Sequence, residues 1–249
     1  VRHSFFRAPR PLVFAHRGGS ALAPENTIDA FDNGIRLGAD GLELDVHLSR
    51  DGVVVVHHDR TLDRTTTLSG PVAARSAVEL NSARVPSFAD VLARYRDGRM
   101  IVELKVNRPE LAVAVVDAVR RADAVDRVCL GAFGQRVLQT VRAMEPAVAT
   151  SAAREEVRWA LYRSWVRWPV TRVAYDGYQV PEWSGRTRVV SPRFVEAAHR
   201  AGLGVQVWTV DREEDARRLL AWGVDALITD RPDIIVPIVK RLSGLGAGG

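Results

Sequence analysis

Residues 204–242 read GVQVWTVDREEDARRLLAWGVDALITDRPDIIVPIVKRL. Two apolar runs, GVQVWTV (204–210) and DALITD (225–230), lead in turn into two helical patterns, DREEDARRLLAWG and RPDIIVPIVKRL. A short apolar run followed by a helix-period segment, repeated, is the pattern of parallel strands joined by helical crossovers. The alternation runs back through the chain. LVFAH (12–16) precedes a helix near 26–37, MIVELKV (100–106) precedes PELAVAVVDAVRRA, RVCLGAF (127–133) precedes GQRVLQTVRAM, and AVATS precedes a Trp-rich stretch. Strands buried on both faces read as continuous apolar runs, as several of these do. So many units predict an α/β fold, a (β/α)8 TIM barrel in preference to a doubly wound sheet, and no G-x-G-x-x-G follows a strand. The 249 residues suit one barrel domain spanning 1–249.

Two passages break the alternation. GLELDVHL (41–48) and VVVVHH (53–58) are joined by too few residues for a helical crossover, which predicts a hairpin. Residues 59–86 show little periodicity and many Thr, Arg and Ala, and read as an insertion or cap. The terminal GLGAGG reads as a frayed tail.

Composition narrows the function classes. The chain is 47% apolar and 26% charged, a globular balance, with no run long enough to span a membrane and no recognisable secretory leader, so a cytoplasmic location is expected. The lone Cys129 rules out an internal disulfide and a cysteine metal cluster, and reads as a buried strand thiol. The net charge is +5, and every basic residue except Lys105 and Lys240 is Arg. These arginines are scattered with no long basic block, so no nucleic-acid partner is expected, only a modest attraction to anionic substrates or lipid surfaces.

The ionisable residues that look out of place gather near the ends of the first strands: His16 and Arg17, Glu43 and Asp45, His58 and Asp59, Glu103 and Lys105. Parallel barrels build active sites at that end. On a strand, residues two apart share a face, so Glu43 and Asp45 point together into the barrel while Leu42, Leu44 and Val46 take the other side. Glu103 and Lys105 repeat the pattern. Converging carboxylates need neutralisation, which either Lys105 and Arg17 or a hard divalent cation such as Mg²⁺ or Ca²⁺ can supply. Two such pairs beside histidine-bearing strands favour the cation. His16 and His58 suit an acid–base pair. His57 is expected to face away from His58, and His47 shares the parity of Glu43 and Asp45. Arg17 is a fork donor suited to phosphate, and Gly18 and Gly19 let the chain turn beside it. PENT (24–27) then opens a helix, with Asn26 or Thr27 as its cap.

The set HRGG (16–19), PENT (24–27), ELDVHLSRDGVVVVHHD (43–59), RTT (64–66), ELK (103–105), WTV (208–210) and GVDALITDRP (223–232) resembles the glycerophosphodiester phosphodiesterase family, in family order and over nearly the whole chain. The resemblance implies a barrel enzyme that hydrolyses phosphodiesters. It implies His16 and His58 as catalytic histidines, Glu43, Asp45 and Glu103 as metal ligands, and Arg17 and Lys105 as phosphate contacts. It also implies Trp208 as an aromatic wall near the alcohol portion, with Phe133 as a further wall residue. The family often has Ser-Phe where this chain has Ala132-Phe133. The expected reaction is metal-dependent cleavage of a glycerophosphodiester to glycerol 3-phosphate and an alcohol. A lysophospholipase D acting at a membrane surface is the alternative, motivated by the Trp- and Arg-rich stretch 154–172. A non-catalytic phosphate or phospholipid binder is the alternative of another class.

Overall fold

The computed structural model describes residues 3–171 and 173–244. Eight strands run parallel: β1 (Leu12–His16), β2 (Gly41–Leu48), β4 (Arg99–Leu104), β5 (Val128–Gly131), β6 (Ala149–Thr150), β7 (Gly177–Pro181), β10 (Gly204–Trp208) and β11 (Ala226–Thr229). Their order is β6-β5-β4-β2-β1-β11-β10-β7, and a parallel bridge between Ser151 and Gly177 brings β6 against β7 and closes the ring. Helices α1 (Ile28–Arg36), α4 (Pro109–Arg121), α5 (Gln135–Met144), α6 (Arg154–Trp165), α7 (Pro192–Arg200), α8 (Glu213–Ala221) and α9 (Pro232–Leu242) follow the strands. The TIM-barrel reading is therefore the fold. None of the helices among the described residues is long and apolar enough to cross a membrane. The tail assigned to GLGAGG lies outside the described residues from 245 onward, as does Arg172 at the end of the Trp-rich stretch.

Alternation along the strands separates two environments. Leu42, Leu44, Val46, Met100, Val102 and Leu104 point outward into the apolar layer beneath the helices. Phe14, Ile101, Cys129, Ala149 and Ile228 fill the barrel interior. Cys129 is a fully buried free thiol, as its apolar run suggests. Phe5 and Phe6, in a short 3₁₀ turn ahead of β1, complete this inner cluster. Gly204 makes room for them: a Cβ there would stand 2.3 Å from the Phe6 ring.

The predicted hairpin is present, with β3 (Val54–Val56) antiparallel to β2. β3 ends before His57 and His58, which occupy the loop beyond it. Residues 59–86 contain α2 (Ala77–Ser82) and pack a small core of their own, in which Leu62, Val72, Leu80 and Val85 meet Val55. The short α3 (Phe88–Arg94) then leads into β4.

One strand escapes the sequence reading. β7, GYQVP, is not a continuous apolar run because its inward positions are Gly177, Gln179 and Pro181. Those residues face a partly open interior, where small or polar side chains belong. Past it comes the two-stranded hairpin β8 (Trp183–Ser184) and β9 (Thr187–Arg188), also unforeseen.

Candidate active site

The turn after β1 positions the first residues. Arg17 takes φ 51°, and Gly18 and Gly19 follow at φ 89° and 96°. The close neighbour of Gly18 is helix α1: a Cβ on Gly18 would stand 2.6 Å from the Ala30 backbone. Gly18 thus serves strand–helix packing, which holds the strand end against α1. Asn26, at φ 58°, donates its backbone N–H to the Arg17 carbonyl at 2.9 Å. Thr27 is the cap of α1, its hydroxyl accepting from the Ala30 N–H at 3.2 Å. That frees the Asn26 side chain for a different task. Its Nδ2 donates to Asp45 Oδ2 at 2.9 Å, at a fully enclosed position.

Glu43, Asp45 and Glu103 come together as the strand parity predicts, each offering an oxygen within 4.8 Å of the others. Asp45 is also 3.4 Å from Lys105 Nζ and 3.4 Å from Arg17 Nε, and Lys105 Nζ is 3.2 Å from Glu103 Oε1. Glu43 accepts the Arg17 backbone N–H at 3.1 Å. Burial, reinforced by the charge of Asp45, pushes the Glu43 carboxyl up to about 8. Burial also raises Glu103, against the pull of Lys105. A cluster this reluctant to ionise, with oxygen donors only, fits a hard divalent cation better than it fits two cations on flexible side chains. Arg17 Nε, buried with no hydrogen-bond partner, is a donor available to an anion such as a phosphoryl oxygen.

Each of the two histidines carries its own carboxylate. His16 Nδ1 lies 2.6 Å from Asp230 Oδ1, and Ser20 donates to the same oxygen at 2.5 Å. His58 Nδ1 lies 2.6 Å from Asp59 Oδ1. Such a partner fixes the ring orientation and tautomer. Burial alone would lower His16, but Glu43 and Asp230 outweigh it and raise its pKa to about 9. Arg64 holds Asp59 well below the usual carboxylate range, and it also pairs through both terminal nitrogens with Glu25. Glu25 in turn meets Arg17 Nη1 at 3.1 Å. A chain of ion pairs therefore runs Arg17–Glu25–Arg64–Asp59–His58 and ties the β1 turn to the segment after β3.

A cavity of about 940 Å³ opens over this cluster at the C-terminal ends of the strands. His16, Arg17, Glu43, His58, Glu103 and Lys105 line one end. Phe133 and Trp208 line it further along, edge to face at 6.4 Å, with the Arg154 guanidinium 5.0 Å from the Phe133 ring centre. Asp45 lies just beneath, 1% exposed and held by Asn26. All nine residues singled out in the sequence are thus brought to one place. His47 and His57 are not cavity residues: His47 Nε2 pairs with the His58 carbonyl at 3.1 Å and His57 Nε2 with the Thr61 carbonyl at 3.0 Å, so both brace the His58 loop. None of the lining residues comes from 59–86, which buttresses the site from the side.

The sequence reading gave no role to Asp230, Glu25 or Arg64, named Asp59 among the strand-end ionisable residues without a task, and offered Asn26 as a helix cap, a place that Thr27 takes. Asp230 ends the apolar run DALITD as His16 ends LVFAH, and that shared strand-end position was the available signal. Nothing in the spacing announces the Glu25–Arg64 pair, which joins positions 39 residues apart.

Comparison with known proteins agrees with this geometry. Residues 16–234 match the profile of the Glycerophosphoryl diester phosphodiesterase family. A glycerophosphodiester phosphodiesterase of Caldanaerobacter subterraneus is 30% identical over 250 residues, covering 93% of this chain and 99% of its own. Among solved structures, the glycerophosphodiester phosphodiesterase of Agrobacterium tumefaciens is 28% identical, with a TM-score of 0.76 over 90% of this chain and 98% of that one. That of Thermotoga maritima is 25% identical, with a TM-score of 0.72 over 92% and 99%. The profile match spans most of the chain and includes every strand of the barrel except the first residues of β1, so the chain belongs to the glycerophosphoryl diester phosphodiesterase family.

Proposed function

We propose that this phosphodiester hydrolase cleaves glycerophosphodiesters to glycerol 3-phosphate and a free alcohol, with His16 and His58 moving the protons and Glu43, Asp45 and Glu103 holding Mg²⁺ or Ca²⁺. The observation that carries the reading is the gathering of two carboxylate-oriented histidines and three converging carboxylates at one end of the cavity. Both rings use Nδ1 for their carboxylate; His58 Nε2 has no partner among the described residues, and His16 Nε2 lies 3.7 Å from Glu43 Oε2 at the edge of the cluster. One histidine takes the proton of the attacking oxygen, and the other gives a proton to the departing alcohol oxygen. The attacking oxygen belongs to water or to a neighbouring glycerol hydroxyl; in the second case a cyclic phosphate forms and water then opens it. Arg17 and Lys105 are the phosphate contacts, their positive charge set against the phosphoryl oxygens as the P–O bond breaks. A divalent cation in the carboxylate cluster supplies Lewis-acid neutralisation of the phosphoryl group when bound. Trp208 and Phe133 flank the alcohol portion.

A lysophospholipid is the second substrate class, favoured by the length of the cavity. Beyond Phe133 it continues along Val157, Leu161, Trp165, Pro181, Trp183 and Val189, an apolar arm suited to an acyl chain. Turnover of glycerophosphocholine and of lysophosphatidylcholine, with chelator and after adding back Mg²⁺ or Ca²⁺, tests both. The expected result is metal-restored release of glycerol 3-phosphate from the first. Full activity in chelator refutes the metal assignment, and hydrolysis of the lysolipid alone shifts the reading to the second substrate.

A further inference from the structure

Beside the cavity mouth the usual order of an outer barrel helix is inverted. α6 packs inward through Val157, Ala160, Leu161 and Ser164, residues of small to medium size. Its outward arc carries Trp159, Tyr162 and Trp165, all more than half exposed. At 100° per residue these three positions fall on one side of the helix, opposite Ala160 and Ser164. Trp168, in the turn after α6, is 65% exposed, and Trp183 stands across the cavity on β8, also more than half exposed. Trp165 and Trp183 both line the cavity, so the aromatic band is continuous with the entrance to the site. Contiguous exposed aromatic surface of this kind marks a docking face.

Charge selects the partner. Arg158, Arg163, Arg167 and Arg186 surround the band, and none makes an ion pair with a described carboxylate. Glu156, the nearest acid facing inward, is already held by Arg142 at 2.8 Å, which leaves Glu155 on the outer arc. A surface with this surplus of arginines repels a second copy of itself. Trp and Tyr rings settle at the headgroup level of a bilayer, and arginines around them meet anionic lipid phosphates. We propose that α6 and the β8–β9 hairpin seat the cavity mouth on an anionic lipid bilayer, so that phosphodiesters held in that surface enter the site directly.

The proposal rests on the phosphodiesterase reading for its purpose, and the test separates the two. The full chain is mixed with phosphatidylcholine vesicles, with and without phosphatidylglycerol, at low and high salt, and bound protein is separated by flotation. The same preparations are assayed on soluble glycerophosphocholine. Binding is expected on the anionic vesicles, about tenfold weaker on phosphatidylcholine alone and reduced by salt. The double variant Trp159→Ala/Trp168→Ala, at two positions that do not line the cavity, is expected to lose about tenfold in vesicle binding while keeping its turnover of the soluble diester. The pair Arg163→Gln/Arg167→Gln is expected to bind both vesicle types alike. Absence of wild-type binding to anionic vesicles at low salt overturns the proposal, as does unchanged binding by the tryptophan variant. A dimer in sedimentation that the tryptophan variant abolishes also overturns it and makes the face a protein interface. Failure of the wild type on soluble diester overturns the functional reading, whatever the vesicles show.

Discussion

Metal binding to the carboxylate cluster should release a proton, and its pH dependence can be worked from Glu43. Burial and the charge of Asp45 place the Glu43 carboxyl at about 8 in the metal-free protein. A cation binds the ionised cluster, so below that pH the proton must first leave. At pH 7 most molecules hold the proton, a cost on the order of 1 kcal/mol, and each pH unit further down adds about as much again. The apparent Kd should therefore fall about tenfold per pH unit from 6 to 8 and level off above. The sign is the same in folding stability. A folded-state carboxyl raised above its unfolded value binds more protons in the native state, so the metal-free protein loses stability as pH climbs from the ordinary carboxylate range to about 8. Added cation should restore it. Calorimetric titration with Mg²⁺ and with Ca²⁺ at several pH values, in buffers of different ionisation heat, measures both the affinity and the protons released. An affinity equal at pH 6 and pH 8, or binding without proton release, refutes the reasoning. Glu43→Gln, which cannot hold that proton, should bind more weakly but with a flatter pH dependence.

Two further substitutions test the parts that hold the site. Asn26→Gly keeps the positive φ accessible and removes the side-chain amide that donates to the Asp45 carboxylate and accepts the Asp45 backbone N–H; it should cost about 1–3 kcal/mol of stability and weaken cation binding, read by denaturant midpoint and titration. Phe6→Ala empties part of the inner cluster where it packs on Gly177 and Gly204, the first residues of their strands; it should cost about 3–5 kcal/mol while leaving cation affinity within about twofold, since the carboxylates lie toward the other ends of their strands.

The barrel was legible because most of its strands are buried on both faces and so leave apolar runs with a helix after each. β7 was not, because a strand lining an open interior carries Gly177, Gln179 and Pro181 on its inner face and breaks the run. The site was legible for a related reason. His16, Glu43, Asp45, Glu103 and Lys105 interrupt strands or end them, so strand parity alone places them together. Their partners obey no such rule. Asn26, Glu25 and Arg64 lie in loops, where local spacing says nothing about what the side chain meets, and only the folded chain brings Arg64 to both Glu25 and Asp59. Residues 154–172 resist a reading for another reason. Read as a helix, the stretch mixes aromatics and arginines without clean separation, yet the inward positions are small and every tryptophan of α6 faces out. Helical period could locate the arc, but only packing could say that the larger residues lie on the solvent side.

The central claim is that two histidines perform the proton transfers at a metal-bearing phosphodiesterase site. The most direct measurement is the turnover of glycerophosphocholine by His16→Asn and His58→Asn, with cation affinity and circular dichroism measured on the same samples. Each substitution should lower kcat by about 10²–10⁴-fold while the fold persists and the cation still binds. A near-normal kcat in either variant contradicts the account.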